Sequence, residues 1–166
     1  MIVFIDEAVP YHPDIKTLNG LPACPREVYF DLINQFFTWD LKDYIVALHP
    51  RTPVDEVINK NYIGHQIMGM THKLLEHPDC KHIYMHTSSL SDFAIKTRKP
   101  VTFLTCDEFN ITGMASRVRK LARSIGQKPI DMRTGMPEKF KLKFVYLRMK
   151  GVLWIISKRL KAFAGI

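Results

Sequence analysis

Four short polar clusters in this 166-residue chain carry the residue types needed to grip a phosphate-bearing ligand. Thr87-Ser88-Ser89 offers hydroxyls and backbone N–H groups where an apolar run passes into a helical one. At such a junction the helix dipole and the free donors act together on an anion. The same serines suit plain helix capping, with Asp92 supporting the helix start. His49-Pro50-Arg51 pairs an imidazole, able to hand a proton to a leaving phosphate, with a guanidinium able to hold two phosphate oxygens. It equally suits a solvated loop punctuated by Pro50 and Pro53. Asp107-Glu108 could accept hydrogen bonds from ribose hydroxyls, and Asp6-Glu7 with His12 could do the same; either pair could also be an ordinary turn.

Other chemistries lack their signatures. His77, Cys80, His82 and His86 follow H-x2-C-x-H-x3-H, which matches no common zinc spacing. On a strand, Cys80, His82 and His86 would spread over about 20 Å at ~3.3 Å per residue, so no metal is expected there. The chain has no P-loop, G-x-G-x-x-G or G-x-S-x-G. Nucleophilic hydrolysis and ordinary dinucleotide binding are disfavoured accordingly.

The elements that must position the clusters alternate. Met1–Ile5, Tyr44–Leu48, His82–His86 and Val101–Thr105 are short apolar runs that predict buried strands. Helical spacing is expected over Arg26–Trp39, with Pro25 at its first turn, and over Ile67–Leu75, Leu90–Lys96 and Ala115–Ile125. Strand alternating with helix predicts an α/β, Rossmann-like, doubly wound parallel sheet. In such sheets ligands bind beyond the C-terminal strand ends. All four clusters fall there, and their convergence on one edge is the main sequence argument for a single site.

Length predicts one domain with a self-sufficient core. The net charge of +8 is uneven: residues 111–166 hold 14 Lys and Arg against two acids, while residues 1–110 are net −4. The organisation expected is a Rossmann-like ligand-binding domain over 1–126, a linker over 127–138 and a basic amphipathic tail over 139–166. In the tail Lys139, Lys141, Lys143, Arg148, Lys150, Lys158, Arg159 and Lys161 interleave with aromatics, Trp154 among them. Such a segment suits an anionic membrane surface, or a last helix packing its apolar stripe on the domain. Three cysteines without framework spacing suggest reduced thiols. No signal-peptide pattern opens the chain, and no uncharged stretch approaches the ~20 residues of a transmembrane helix. A cytoplasmic place, peripheral on the inner face of the plasma membrane, is expected.

The ordered series of a strand ending in His49-Pro50-Arg51, a strand ending in Thr87-Ser88-Ser89 before Leu-Ser-Asp-Phe-Ala, and Lys99-Pro100-Val-Thr-Phe-Leu-Thr-Cys-Asp107-Glu108 resembles the C-terminal half of bacterial GT-B glycosyltransferases of capsule and lipopolysaccharide synthesis. Sialyltransferase-like families there carry an HP motif and a paired Ser/Thr motif, and the teichoic-acid glycerophosphotransferases carry a similar Ser-Ser, helix, Lys-Pro series. The resemblance spans about residues 1–126. It implies that His49, Ser88 and Ser89 contact the donor phosphate, with His49 catalytic, and that Asp107 and Glu108 contact the nucleoside. Asp6-Glu7 with Tyr11-His12-Pro13-Asp14 is similar to the first strand and loop of that half. Arg51 and Thr87 join the phosphate group on chemistry. The implied activity is inverting and metal-independent, with a nucleotide sugar, CMP-linked among the candidates, as donor substrate and no further cofactor. The implied partners are a glycan or lipid-linked glycan acceptor and a separate N-terminal half or partner subunit, because a GT-B enzyme places its acceptor on a second domain. The competing expectations are a non-catalytic α/β module that binds nucleic acid or anionic membrane through the tail, and an inactive remnant. Nucleic acid is the less favoured partner, since it leaves the strand-end clusters unexplained.

Overall fold

The computed structural model describes residues 1–15, 20–40, 44–53 and 61–133. The basic tail and its side chains lie outside the described residues. Six strands form one parallel sheet in the order β3-β2-β1-β4-β5-β6. They are β1 Ile2–Ile5, β2 Tyr44–Leu48, β3 His65–Met68, β4 His82–Met85, β5 Val101–Thr105 and β6 Ile130–Asp131. The helices are α1 Arg26–Asp40, α2 Thr71–Glu76, α3 Ser91–Lys96 and α4 Met114–Ser124, with a 3-10 turn over Asp107–Thr112. The chain order reverses between β1 and β4, which places a topological switch point, and therefore a crevice, at their C-terminal ends.

The central strands are continuous apolar runs because helices cover both faces of a parallel sheet. Phe4 of β1 meets Phe37 of α1 at 5.4 Å between ring centroids, and Phe37 stacks on Tyr44 at 4.2 Å. Alternation along β1 then sends Val3 and Ile5 to the opposite face and returns Asp6 to the α1 side. Tyr84 of β4, in register with Phe4, packs edge-on against Phe37 on that same side. The core is almost wholly sealed, with Phe4, Tyr29, Leu32, Ile33, Phe37, Phe103 and Phe109 inaccessible to solvent.

Two segments differ from the sequence expectation. The span Ile67–Leu75 is not one helix. His65–Met68 pairs in parallel with Ile45–Leu48, Gly69 turns the chain at φ 81°, and only Thr71–Glu76 is helical. Ile67, Leu74 and Leu75 happen to share a helical spacing, but the hydrogen-bonding edge of β2 claims the first part. Gly64 opens this strand tightly: a Cβ there would lie 2.6 Å from the Tyr44 ring. The segment 127–138, expected as a linker, enters the sheet at Ile130–Asp131, which pairs with Leu104–Thr105, and Met132 is fully buried. Two residues carry no periodicity to read. No helix among the described residues is long and apolar enough to cross a membrane.

Candidate ligand-binding site

A cleft of about 280 Å³ opens beyond the C-terminal ends of β1, β2 and β3, walled on the far side by the loop after β4. His49, Pro50, Ser88 and Ser89 line it, as do Asp6, Gly69 of the β3–α2 connection, and Thr71 and His72 at the start of α2. The helical spacing across Ile67–Leu75 conceals the last three in the sequence. A glycine followed by Met-Thr-His at the end of a strand was the signal available.

His49 enters the cleft with one ring nitrogen already used. The Arg51 backbone N–H donates to His49 Nδ1 at 3.1 Å. Proline at 50 keeps His49 out of the helical region and so favours this tight turn. An Nδ1 that accepts must be unprotonated, so the neutral ring carries its proton on Nε2. Burial, followed by the neighbouring charges of His12 and Arg51, pushes the His49 pKa below its ordinary value. Near neutrality His49 is therefore a neutral imidazole offering an Nε2–H donor. His12 repeats the device: the Asp14 N–H donates to its Nδ1 at 3.2 Å, and its ring meets His49 edge-on at 5.0 Å. Arg51 points away to Asp14 at 3.6 Å and is more than half exposed, outside the cleft wall.

The β4 loop supplies hydroxyls. Ser88 Oγ accepts the Leu90 N–H at 3.1 Å, and Ser91 Oγ donates to the Ser88 carbonyl. Ser88 thus stays a hydroxyl donor toward the cleft while its oxygen braces the turn. Ser89 is exposed. Thr87 faces inward instead and donates to Glu7 Oε2 at 3.2 Å.

The acids after β1 are internal. Asp6 is 1% exposed, and its Oδ1 accepts the Ala8 N–H at 2.9 Å and the Tyr62 hydroxyl at 2.8 Å, while Oδ2 accepts the Thr52 hydroxyl at 2.8 Å. His86, wholly buried, extends the network. Its Nδ1 lies 2.8 Å from the Leu104 carbonyl, which can only accept, so Nδ1 is protonated and Nε2 is the acceptor. Tyr29 has one hydroxyl proton and two acceptors in reach, His86 Nε2 at 3.2 Å and Asp6 Oδ1 at 3.5 Å; the shorter contact takes it. Burial lowers the His86 pKa to about 4, so the ring is neutral. Burial raises the Glu7 pKa to about 8, so that carboxyl holds its proton near neutrality. Asp6 forms part of the cleft floor, yet its carboxylate is engaged in holding the end of β1 and the loops beside β2 and β3 together.

Asp107 and Glu108 reach the same sheet edge at the end of β5 but do not line the cleft. Glu108 is buried and ion-paired to Arg133 at 2.5 Å. Burial opposes its charge, but the hydrogen bond and charge of Arg133 outweigh that and hold its pKa below the ordinary value. Of the four clusters, the structure brings His49, Ser88 and Ser89 together around the cleft, sets Asp6 beneath them and keeps the β5 acids apart. Set against family models, curated proteins and solved structures, the chain matches none of them.

Proposed function

We propose that the chain is the donor-binding domain of a glycosyltransferase that takes a nucleotide-activated sugar, a CMP-linked one among the candidates, for surface-polysaccharide synthesis. One observation carries this reading: a cleft at the switch-point edge of a Rossmann-like sheet, with the tautomer-locked His49 on one wall and Ser88 and Ser89 on the other. Neutral donors facing each other across a cleft of this size suit a phosphate linking nucleoside and sugar. As the sugar departs, negative charge grows on the phosphate, and a preset Nε2–H donor stabilises it without reorganisation. Passing that proton to the leaving oxygen would make His49 the general acid.

The base that activates the acceptor is proposed to come from a second domain or partner subunit. Asp6, the one acid among the cleft-lining residues, is saturated by its own donors. A glycan or lipid-linked acceptor would suit a protein whose basic tail holds it at the inner membrane surface.

A thermal-shift titration against CMP, CDP, UDP, GDP and their sugars tests the proposal. One nucleotide should raise the melting temperature, since a ligand at 100 times its dissociation constant adds about 2.7 kcal/mol. His49→Ala should remove the shift while leaving the unliganded melting temperature in place. A panel with no shift would refute the donor-site reading.

The exposed basic side chains Arg117, Lys120 and Arg123 on α4 favour a second reading, a module that binds nucleic acid or anionic lipid. It predicts binding that weakens steeply with salt, falls when Arg117, Lys120 and Arg123 are changed to Glu, and falls further when residues 139–166 are deleted.

A further inference from the structure

Away from the cleft, two thiols and a carboxylate distant in sequence converge in the interior. Cys24 stands just before α1, Cys106 follows β5, and Glu108 lies in the 3-10 turn. A ligand atom of each lies within 4.8 Å of the other two, and all three residues are buried. We infer that Cys24, Cys106 and Glu108 form a buried zinc site that ties the start of α1 to the end of β5.

The donor set and its spacing fit this ion. Two thiolates and one carboxylate oxygen suit zinc, and around a tetrahedral ion neighbouring ligand atoms sit about 3.5–3.8 Å apart. The three groups need close by only about 1 Å, within reach of small side-chain rotations. An independent feature points the same way. Glu108 is 7% exposed, its Oε1 takes the Arg133 hydrogen bond, and the Cys106 thiol, a weak donor, also bears on the buried carboxylate. A buried carboxylate oxygen held by so weak a donor gains from a cation that displaces the thiol proton.

Arg133 beside the carboxylate does not oppose the cation once protons are counted. Zinc binding releases one proton from each thiol to solvent, so a dication replaces two protons and the net charge of the pocket, with Arg133 and its partners Glu108 and Asp131, is unchanged. A solvent water completes the tetrahedron. Cys80, the remaining thiol, lies outside the cluster and serves as the control.

The test uses the full chain, reduced, stripped with a chelator, reloaded with zinc and dialysed. A single zinc ion per chain should remain, the melting temperature should rise by several degrees over the stripped protein, and both thiol protons should appear on binding. Cys24→Ser and Cys106→Ser should lose the ion, while Cys80→Ser keeps it. Because a core serine can itself disturb folding, cobalt added to the stripped wild type reads the site directly. A thiolate-to-cobalt charge-transfer band with intense tetrahedral visible bands is expected. Absence of that band, or zinc retained equally by the Cys24 and Cys106 variants, overturns the site.

Discussion

The His-Pro turns at His49 and His77 are built alike and lie at opposite ends of the sheet. In each, the backbone N–H two residues on donates to the imidazole Nδ1, from Arg51 at 3.1 Å and from Asp79 at 3.2 Å. In each, the ring is left with Nε2 as its outward nitrogen. The His77 turn sits at the N-terminal edge, where the Met1 amino group donates to the Asp79 carbonyl. The His49 turn sits at the C-terminal edge, on the cleft wall, facing serines. The local device is the same, and the topology sets the His49 copy on the wall of the cleft. Beside His49, Asp6 shows the complementary case: it is at the right edge, but its carboxylate is used up inside.

The largest expected effect probes that internal use. Asp6→Ala strips the acceptor from Ala8, Tyr62 and Thr52, each a buried donor worth about 1–3 kcal/mol when orphaned. A loss of at least about 3 kcal/mol in denaturant unfolding is expected. If stability were unchanged and nucleotide affinity fell instead, the division between an internal Asp6 and an outward His49 would be broken.

Next comes pH. Glu7 titrates at about 8 in the folded chain against an ordinary 4.5, so its stabilising contribution is full below 4.5 and is lost as pH rises to 8. His86 titrates at about 4 against 6.5, so its contribution is full above 6.5 and is lost as pH falls to 4. The two slopes oppose each other between 4.5 and 6.5, where stability should be nearly flat. From 6.5 to 8 Glu7 acts alone, and stability should fall by about 2 kcal/mol at 1.36 kcal/mol per unit. Glu7→Gln should abolish that fall in melts at both pH values.

Gly64→Ala sharpens the fold side of the comparison, because it presses on the Tyr44 ring that Phe37 holds in place. Overpacking of this kind costs about 1–3 kcal/mol, readable as a lowered melting temperature, with the cleft residues untouched. The smallest effect is Tyr29→Phe, which removes one buried hydroxyl bond to His86, about 1 kcal/mol.

The parts of the molecule legible in the sequence are those with uniform burial. β1, β2, β4 and β5 read as apolar runs because both faces are covered. β3 did not, since an edge strand with exposed His65 and Met68 carries no such run. His49, Ser88 and Ser89 were visible because their types and their place after a strand coincide. Thr71 and His72 were hidden by the misplaced helix. The commitment of Asp6 could not be read, because Thr52 and Tyr62 reach it from distant parts of the chain. The pairing of Glu108 with Arg133 across β5 and β6 was out of sight for the same reason.

The most direct test sets the two turns against each other. Calorimetric titration of the nucleotide that shifts the melting temperature would be run on the wild type, His49→Ala and His77→Ala at matched stability. The account predicts a loss of about 1.5–3 kcal/mol in binding for His49→Ala, a tenfold weakening or more, and none for His77→Ala. Equal affinities in all three proteins would contradict a phosphate site on the His49 wall.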